Sequence, residues 1–335
     1  MRKVLITGAA GFIGMNLAVY LAKDVELTLI DDFSRVGSRQ NAEILNRYSL
    51  HVHEVDISQE LALNSFLDLH GPFDGLVHLA AQTSLLESIK DPKVDFNTNA
   101  LGTLNILEHL RKTMRNCKGI FLASNKVYGN LRNIDYQELE TRYTLNELAD
   151  GIDEGFLISP EGGYSISKSI SDAYVQEYGK RFSMPIISLR QSAVYGPNQN
   201  SRSDQGWVSY FTEEYIANRT VSLRGIGKQV RDVLHIDDFC ELIEILLNVQ
   251  LPNGEPFNVG GGADFSLSIL ELFTILESFG GVPIKFETGQ MSLEDQPYFV
   301  SNNQKISKLT GWSPKISPTK GVSNLYQSLL NKATS

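Results

Sequence analysis

The chain has 335 residues, of which 42% are hydrophobic and 21% charged, a globular composition that excludes an intrinsically disordered protein. Its 30 lysines and arginines against 39 aspartates and glutamates leave a net charge of −9. That balance argues against a nucleic-acid partner or an anionic membrane, both of which need a broad basic face, and leaves room only for a small anion in a local basic pocket. Two cysteines, Cys117 and Cys240, belong to no CxxC or Cys/His cluster, so no metal site is expected and reduced thiols in a cytoplasmic protein are. The apolar run at residues 4–6 is shorter than the roughly 7–15 residues of a signal peptide, and no window reaches the ~20 needed to span a membrane.

Taken in chain order, short apolar runs at residues 4–6, 27–30, 51–55, 75–79 and 120–123 read as buried strands. Helical spacing separates them, first in residues 12–21 and most regularly in residues 101–110. A long helix at 164–182 leads into a strand at 185–189. Strand and helix in alternation imply parallel strands with crossover helices, so the fold class is α/β with a doubly wound parallel sheet. Residues 131–155 are polar and acidic and read as an insertion over a sheet edge. Beyond residue 190 the alternation gives way to Gly/Pro punctuation, the mark of a smaller mixed α/β C-terminal lobe. The expected domains are a cofactor domain at 1–190, rejoined by about 229–258, and a substrate lobe at 191–335, largely 191–228 and 259–335.

Gly8-Ala9-Ala10-Gly11-Phe12-Ile13-Gly14 is a G-x-x-G-x-x-G between the first strand and the first helix. Gly8 permits the tight turn, Gly11 lets backbone approach a pyrophosphate, and Gly14 lets helix lie close to strand, the pattern of a dinucleotide-binding Rossmann unit. Asp31 follows Gly8 by 23 residues at the end of the second strand, near the ~20 expected of an acid that binds ribose hydroxyls. An acid there favours NAD, while Arg35 nearby keeps NADP open. Asp56 reads equally as an acceptor for the adenine amino group and as a helix N-cap.

Tyr164-Ser165-Ile166-Ser167-Lys168 is Tyr-x-x-x-Lys, which puts phenol and ammonium on one helix face. A nearby ammonium is expected to lower the tyrosine pKa and make the phenol a usable general acid/base. With the glycine motif, these residues resemble the extended short-chain dehydrogenase/reductase family, whose members mostly remodel nucleotide sugars. The resemblance implies Ser124 as the third catalytic residue, and Phe12, Ile13, Asp32, Ser34, Ile57, Leu79, Ala80, Ala81, Gln82 and Asn99 as further cofactor contacts beside Tyr164 and Lys168. Family dehydratases carry an acidic pair after the serine; Asn125 and Lys126 stand there, so sugar dehydration is not expected.

Closer similarity is to the CDP-hexose 2-epimerases of that family. It is carried by Ser124-Asn125-Lys126, by Asp204-Gln205-Gly206-Trp207-Val208 and by Gly227-Lys228-Gln229-Val230-Arg231-Asp232-Val233-Leu234-His235. The resemblance implies epimerisation through a transient keto sugar with hydride return to a bound NAD. Tyr164 would take the hydroxyl proton, Ser124 would steady it, and Lys168 would hold the nicotinamide ribose. Ser124, Asn125, Lys126, Gln205, Trp207, Lys228 and Arg231 become candidate substrate ligands. A homo-oligomer is expected, and helices 101–110 and 164–182 suit either its interface or the core.

Several of these residues carry a second reading. Arg231 suits a diphosphate or an ion pair with Asp232 or Asp237. Trp207 suits a sugar pocket or the core. His235 reads as structural. The balance of +3 over residues 219–235 points to an anionic ligand. Departures from the pattern fall at Gln191, Ser292, Pro297, Asn302 and the tract 198–203. A UDP-sugar 4-epimerase and a non-catalytic NAD-binding regulator are the other readings.

Overall fold

The computed structural model describes residues 1–145, 148–291 and 295–334, and Ser292 lies outside them. The chain forms two compact units. The first comprises Met1–Val127, Gly162–Arg190 and Cys240–Phe257. Its sheet contains β1 (Arg2–Thr7), β2 (Val25–Asp31), β3 (Val52–Glu54), β4 (Gly75–His78), β5 (Lys118–Leu122), β6 (Ile186–Gln191) and β7 (Glu255–Val259), in the order β7-β6-β5-β4-β1-β2-β3. β1 pairs in parallel with both β2 and β4, so the strand order reverses between β1 and β4. Crevices that hold ligands in open α/β sheets form at the carboxyl ends of such strands.

Helices cover both sheet faces, which is why the strands are apolar along their whole length. Leu5, Ile30, Leu76, Phe121 and Ile186 join Ile106, Leu107 and Leu110 in one core. The last three lie on α2 (Gly102–Thr113), which runs on from a π-helical turn at Phe96–Leu101. α1 (Phe12–Leu21) follows the glycine motif, and α3 (Gly162–Phe182) carries Tyr164 and Lys168.

The second unit comprises Tyr128–Glu161, Gln191–Phe239 and Asn258–Ser335. The strand Val230–His235 pairs in parallel with Ala193–Tyr195 and Tyr298–Phe299, and antiparallel with Ser266–Ser268. The helices Trp207–Ile216 and Ile269–Gly280 bury Val208, Phe211, Leu272 and Leu276 in a second core with Val322 and Leu325. A capping box between Ser268 and Glu271 starts the helix Ile269–Gly280.

The division differs from the sequence expectation at two places. Residues 131–155 cluster with the second unit and not with the domain expected at 1–190, because Ile134, Tyr136, Leu145 and Leu148 pack against Val230, Tyr298 and Val300. The return to the first unit starts at Cys240, within the helix Ile236–Asn248, and not near residue 229. No helix among the described residues is long and apolar enough to cross a membrane.

Candidate active site

The glycine motif folds into a turn that side chains would block. Gly8 sits at φ 66°, and a Cβ there would lie 2.6 Å from the Ala80 backbone nitrogen. A Cβ on Gly14 would come within 2.3 Å of the Gly8 carbonyl and 2.7 Å of Ala9 Cα, so α1 reaches the strand only with glycine there. Gly11 is the N-cap of α1, and no side chain caps that end. The first-turn N–H groups, which include those of Phe12 and Ile13, therefore present the positive end of the helix.

Asp31 is 7% exposed and accepts from Ala10 N–H at 3.0 Å and Phe33 N–H at 2.9 Å. Burial raises its pKa, opposed by these two bonds and by the charge of Arg35. It thus fastens the glycine loop to the end of β2, beside any ribose it takes. Asn41 completes the loop by donating to the Ala10 carbonyl at 2.8 Å; nothing in its sequence context marked it. Asp32 accepts from Ser34 N–H and hydroxyl, and Arg35 donates to Thr83 Oγ1 at 2.6 Å. Asp56 accepts from Ser58 N–H at 2.8 Å, a turn-capping role, and Ile57 is buried.

The loop after β4 is fixed from two sides. Thr7 Oγ1 accepts from Leu79 and Ala80 N–H at 3.2 Å and lies 2.7 Å from His78 Nδ1. His78 Nε2 lies 3.1 Å from Thr103 Oγ1, whose hydroxyl donates to the Asn99 carbonyl. Since that hydroxyl is spent, Nε2 donates and Nδ1 accepts, which makes His78 neutral. Burial pushes its pKa down to about 3, in agreement. Asn99 accepts from Gln82 N–H at 2.9 Å and donates to the Gln82 carbonyl and to Ser167 Oγ. Ser167 in turn donates to the Tyr164 carbonyl. Ala81 lies half-buried between these anchors.

Ser124, Tyr164 and Lys168 all belong to the first unit. Ser124 lies two residues beyond β5, is 5% exposed and accepts from Lys126 N–H at 3.2 Å. Its hydroxyl reaches Asn125 Oδ1 at 3.3 Å and bonds the Tyr164 phenol. Lys168 is 5% exposed and donates to the Leu122 carbonyl, and burial lowers its pKa to about 8. The expected lowering of the tyrosine pKa is not found. Burial raises the Tyr164 pKa, Asp95 raises it further, and the opposing groups are Ser124 and Arg35. The ammonium is turned to a carbonyl, so the i,i+4 spacing alone does not set the acidity of the phenol. One turn on, Asp172 accepts from Arg190 at 2.8 Å in a buried ion pair and from Ser188; its signal was its position four residues after Lys168.

The remaining candidates belong to the second unit. Arg231 donates to Asp295 Oδ1 at 2.6 Å, so its carboxylate partner is neither Asp232 nor Asp237. Lys228 pairs with Glu138 at 2.8 Å and Arg219 with Glu214 at 2.7 Å. The charge of +3 along residues 219–235 is thus largely offset by acids from elsewhere in the chain, a correction to its reading as an open anion site. Asp232 is fully buried and accepts from Gly262 and Ser301 N–H. His235 is 1% exposed with its pKa lowered by burial, and it accepts from Asp237 N–H, a structural placement. Trp207 starts its helix and packs half-buried against the second core, while its Nε1 has no hydrogen-bond partner among the described residues. Gln205 exchanges backbone bonds with Arg202. Of the departures, Gln191 ends β6, the Pro297 carbonyl accepts from Val230 N–H, and Asn302 accepts from Gln304 N–H.

Residues 4–260 match the NAD dependent epimerase/dehydratase family. The CDP-paratose 2-epimerase of Salmonella typhi is 37% identical over 97% of this chain and 98% of its own length. A putative UDP-glucose 4-epimerase of Methanocaldococcus jannaschii is 28% identical over 98% of each chain. The UDP-glucuronic acid 4-epimerase of Bacillus cereus, solved with UDP-glucuronic acid and NAD, superposes with a TM-score of 0.84 at 25% identity over 98% of this chain and 99% of that one. The UDP-glucose 4-epimerase of Thermotoga maritima, solved with UDP-glucose, gives a TM-score of 0.83 at 26% identity over 99% of this chain and 100% of that one. This chain belongs to the NAD dependent epimerase/dehydratase family.

Proposed function

We propose that this NAD-dependent nucleotide-sugar epimerase acts on a CDP-hexose and inverts its carbon 2. The observation that carries the reading is the match to the Salmonella typhi CDP-paratose 2-epimerase along 97% of the chain. A UDP-sugar 4-epimerase is the second reading, supported by the 4-epimerases among its relatives.

The cradle fits NAD: Cβ atoms on Gly8 and Gly14 would fill the turn, and a buried acid stands at the ribose position. Gly8, Gly11, Phe12, Ile13 and Gly14 would hold the pyrophosphate with backbone N–H groups. Asp31, Asp32, Ser34 and Arg35 would surround the adenosine ribose, and Asp56 and Ile57 the adenine. Leu79, Ala80, Ala81, Gln82 and Asn99 would line the nicotinamide half. Arg35 is engaged by Thr83, which supports NAD over NADP. Bound NAD supplies reversible oxidation of a carbinol carbon.

Tyr164 takes the proton from the sugar hydroxyl and returns it after the sugar has turned. Ser124 donates to the phenol oxygen, or to the sugar oxygen, as charge develops. Lys168 adds a buried positive charge and a donor for the nicotinamide ribose. Asn125 and Lys126 orient the sugar without supplying an acid for elimination. Gln205, Trp207, Lys228 and Arg231 are the proposed ligands in the second unit. Arg231 reaches a diphosphate by exchanging Asp295 for it, since a diphosphate offers more charge and the same bidentate geometry.

The protein is further proposed to be a cytoplasmic homo-oligomer. The apolar side of residues 101–110, open between interface and core in the sequence, lies in the core as Ile106, Leu107 and Leu110. Exposed Ile89, Val94, Phe96 and Ile166 offer the contact instead. Incubation with a panel of CDP- and UDP-sugars, with products identified by NMR, tests the function. Inversion of a CDP-hexose at carbon 2 supports the proposal, turnover only of a UDP-sugar at carbon 4 replaces it with the second reading, and turnover of neither overturns both.

A further inference from the structure

We propose that Asp95 is a positioning residue of the reaction: it fastens Gln82, in the loop after β4, beside the start of the catalytic helix α3. The proposal rests on the reading of Tyr164 as the general base.

Asp95 is fully buried, on the turn that runs into the π-helical segment Phe96–Leu101. Its Oδ1 accepts from Gln82 Nε2 at 2.7 Å. Asn99, four residues on, grips the backbone of the same Gln82 through its N–H and its carbonyl. Side chain and main chain of one loop residue are thus held from one stretch of helix. Oδ2 of Asp95 and the neighbouring Ser88 Oγ are buried without a hydrogen bond of full geometry. A Cβ on Gly163 would lie 2.6 Å from Ser88 Oγ and 3.3 Å from Asp95 Oδ2. Only a glycine lets the residue before Tyr164 come this close to the carboxylate.

No cation lies within ion-pair distance of Asp95 among the described residues. A buried carboxylate with no cation beside it is costly, and stability alone does not call for it. The groups acting on Tyr164 are Ser124 from just beyond β5, Arg35 from the loop after β2, and Asp95. Burial raises the Asp95 pKa, and the side chains of Ser88 and Gln82 oppose that rise. The sign follows from these neighbours. A carboxylate disfavours the phenolate, so it weakens the base in the first proton transfer and strengthens the acid in the return. An epimerase needs both directions from one tyrosine, and Asp95 opposes Arg35 to balance them.

The test uses the purified full chain with NAD. Asp95→Asn keeps an acceptor for Gln82 and removes the charge. The acid limb of kcat/KM is expected to move to lower pH by ~0.5–1 unit as the phenolate loses its neighbouring anion. Asp95→Leu, which strands the Gln82 amide, is expected to weaken NAD binding roughly tenfold. An unmoved limb in folded Asp95→Asn together with unchanged NAD affinity in Asp95→Leu overturns the proposal. If Asp95→Asn does not fold, Gln82→Met cuts the same contact from its other side: NAD binding is expected to weaken several-fold, and an unchanged affinity overturns the proposal. A wild-type chain that turns over no nucleotide sugar defeats the reading of function instead, and the NAD titration of Asp95→Leu still decides whether Asp95 holds the loop.

Discussion

Lys168→Met is expected to make the protein more stable near neutral pH while disabling it. Lys168 is 5% exposed, and its pKa falls from 10.5 to about 8 because burial disfavours the ammonium. Each unit is worth about 1.4 kcal/mol, so keeping the charge buried costs about 3 kcal/mol. Methionine keeps most of the aliphatic stem but leaves the Leu122 carbonyl without its donor, which returns about 1 kcal/mol of that. The net gain is about 2 kcal/mol, or roughly 3 °C in Tm for a chain of this size.

The pH dependence fixes the cause. A lowered folded-state pKa on a cation means that the penalty is present in full below pH 8. It fades as pH rises toward 10.5, where the unfolded lysine also loses its proton. The advantage of Lys168→Met therefore shrinks to about zero by pH 9.5, with sign reversal beyond. Thermal unfolding of cofactor-stripped wild type and variant at pH 7 and pH 9.5 measures it. A variant less stable than wild type at pH 7, or a gain that does not change with pH, would refute the reasoning.

Tyr164→Phe is expected to lower kcat by ~10²–10⁴-fold with NAD still bound, the usual worth of a positioned acid/base; loss of NAD along with activity would contradict the separation of roles. Gly14→Ala puts a Cβ 2.3 Å from the Gly8 carbonyl, and an NAD titration should show binding lost. Asp172→Ala strands Arg190 in the core, with an expected loss of about 3–5 kcal/mol read as the midpoint of urea unfolding. Asp295→Asn removes the acid from Arg231, and calorimetry should show CDP bound several-fold more tightly if Arg231 is a diphosphate ligand.

How much of this was legible in the residues depends on the distance over which each feature is set. The glycine turn is local: Gly8 must take a positive φ and Gly14 must lie against the strand, so spacing alone exposes both. The parallel sheet followed from apolar runs alternating with helices, while the order of its strands did not. Tyr164 and Lys168 stood out by type and spacing and Ser124 by the family resemblance, and the fold brings all three into one unit. The acidity of Tyr164 was not legible, because Arg35, Asp95 and Ser124 come from three distant segments. The cationic run at 219–235 misled for the same reason: Glu138 and Asp295, far from it in sequence, fold against it. Residues 131–155 looked like surface because their few apolar side chains are scattered, yet Ile134, Tyr136 and Leu145 suffice to anchor them.

The most direct test of the central claim is incubation of the purified protein with a CDP-hexose such as CDP-paratose in D2O, followed by NMR. The account predicts a product inverted at carbon 2 that keeps its original hydrogen there, because the hydrogen leaves and returns without meeting solvent. Deuterium at carbon 2, or an unchanged CDP-hexose in the presence of NAD, contradicts it.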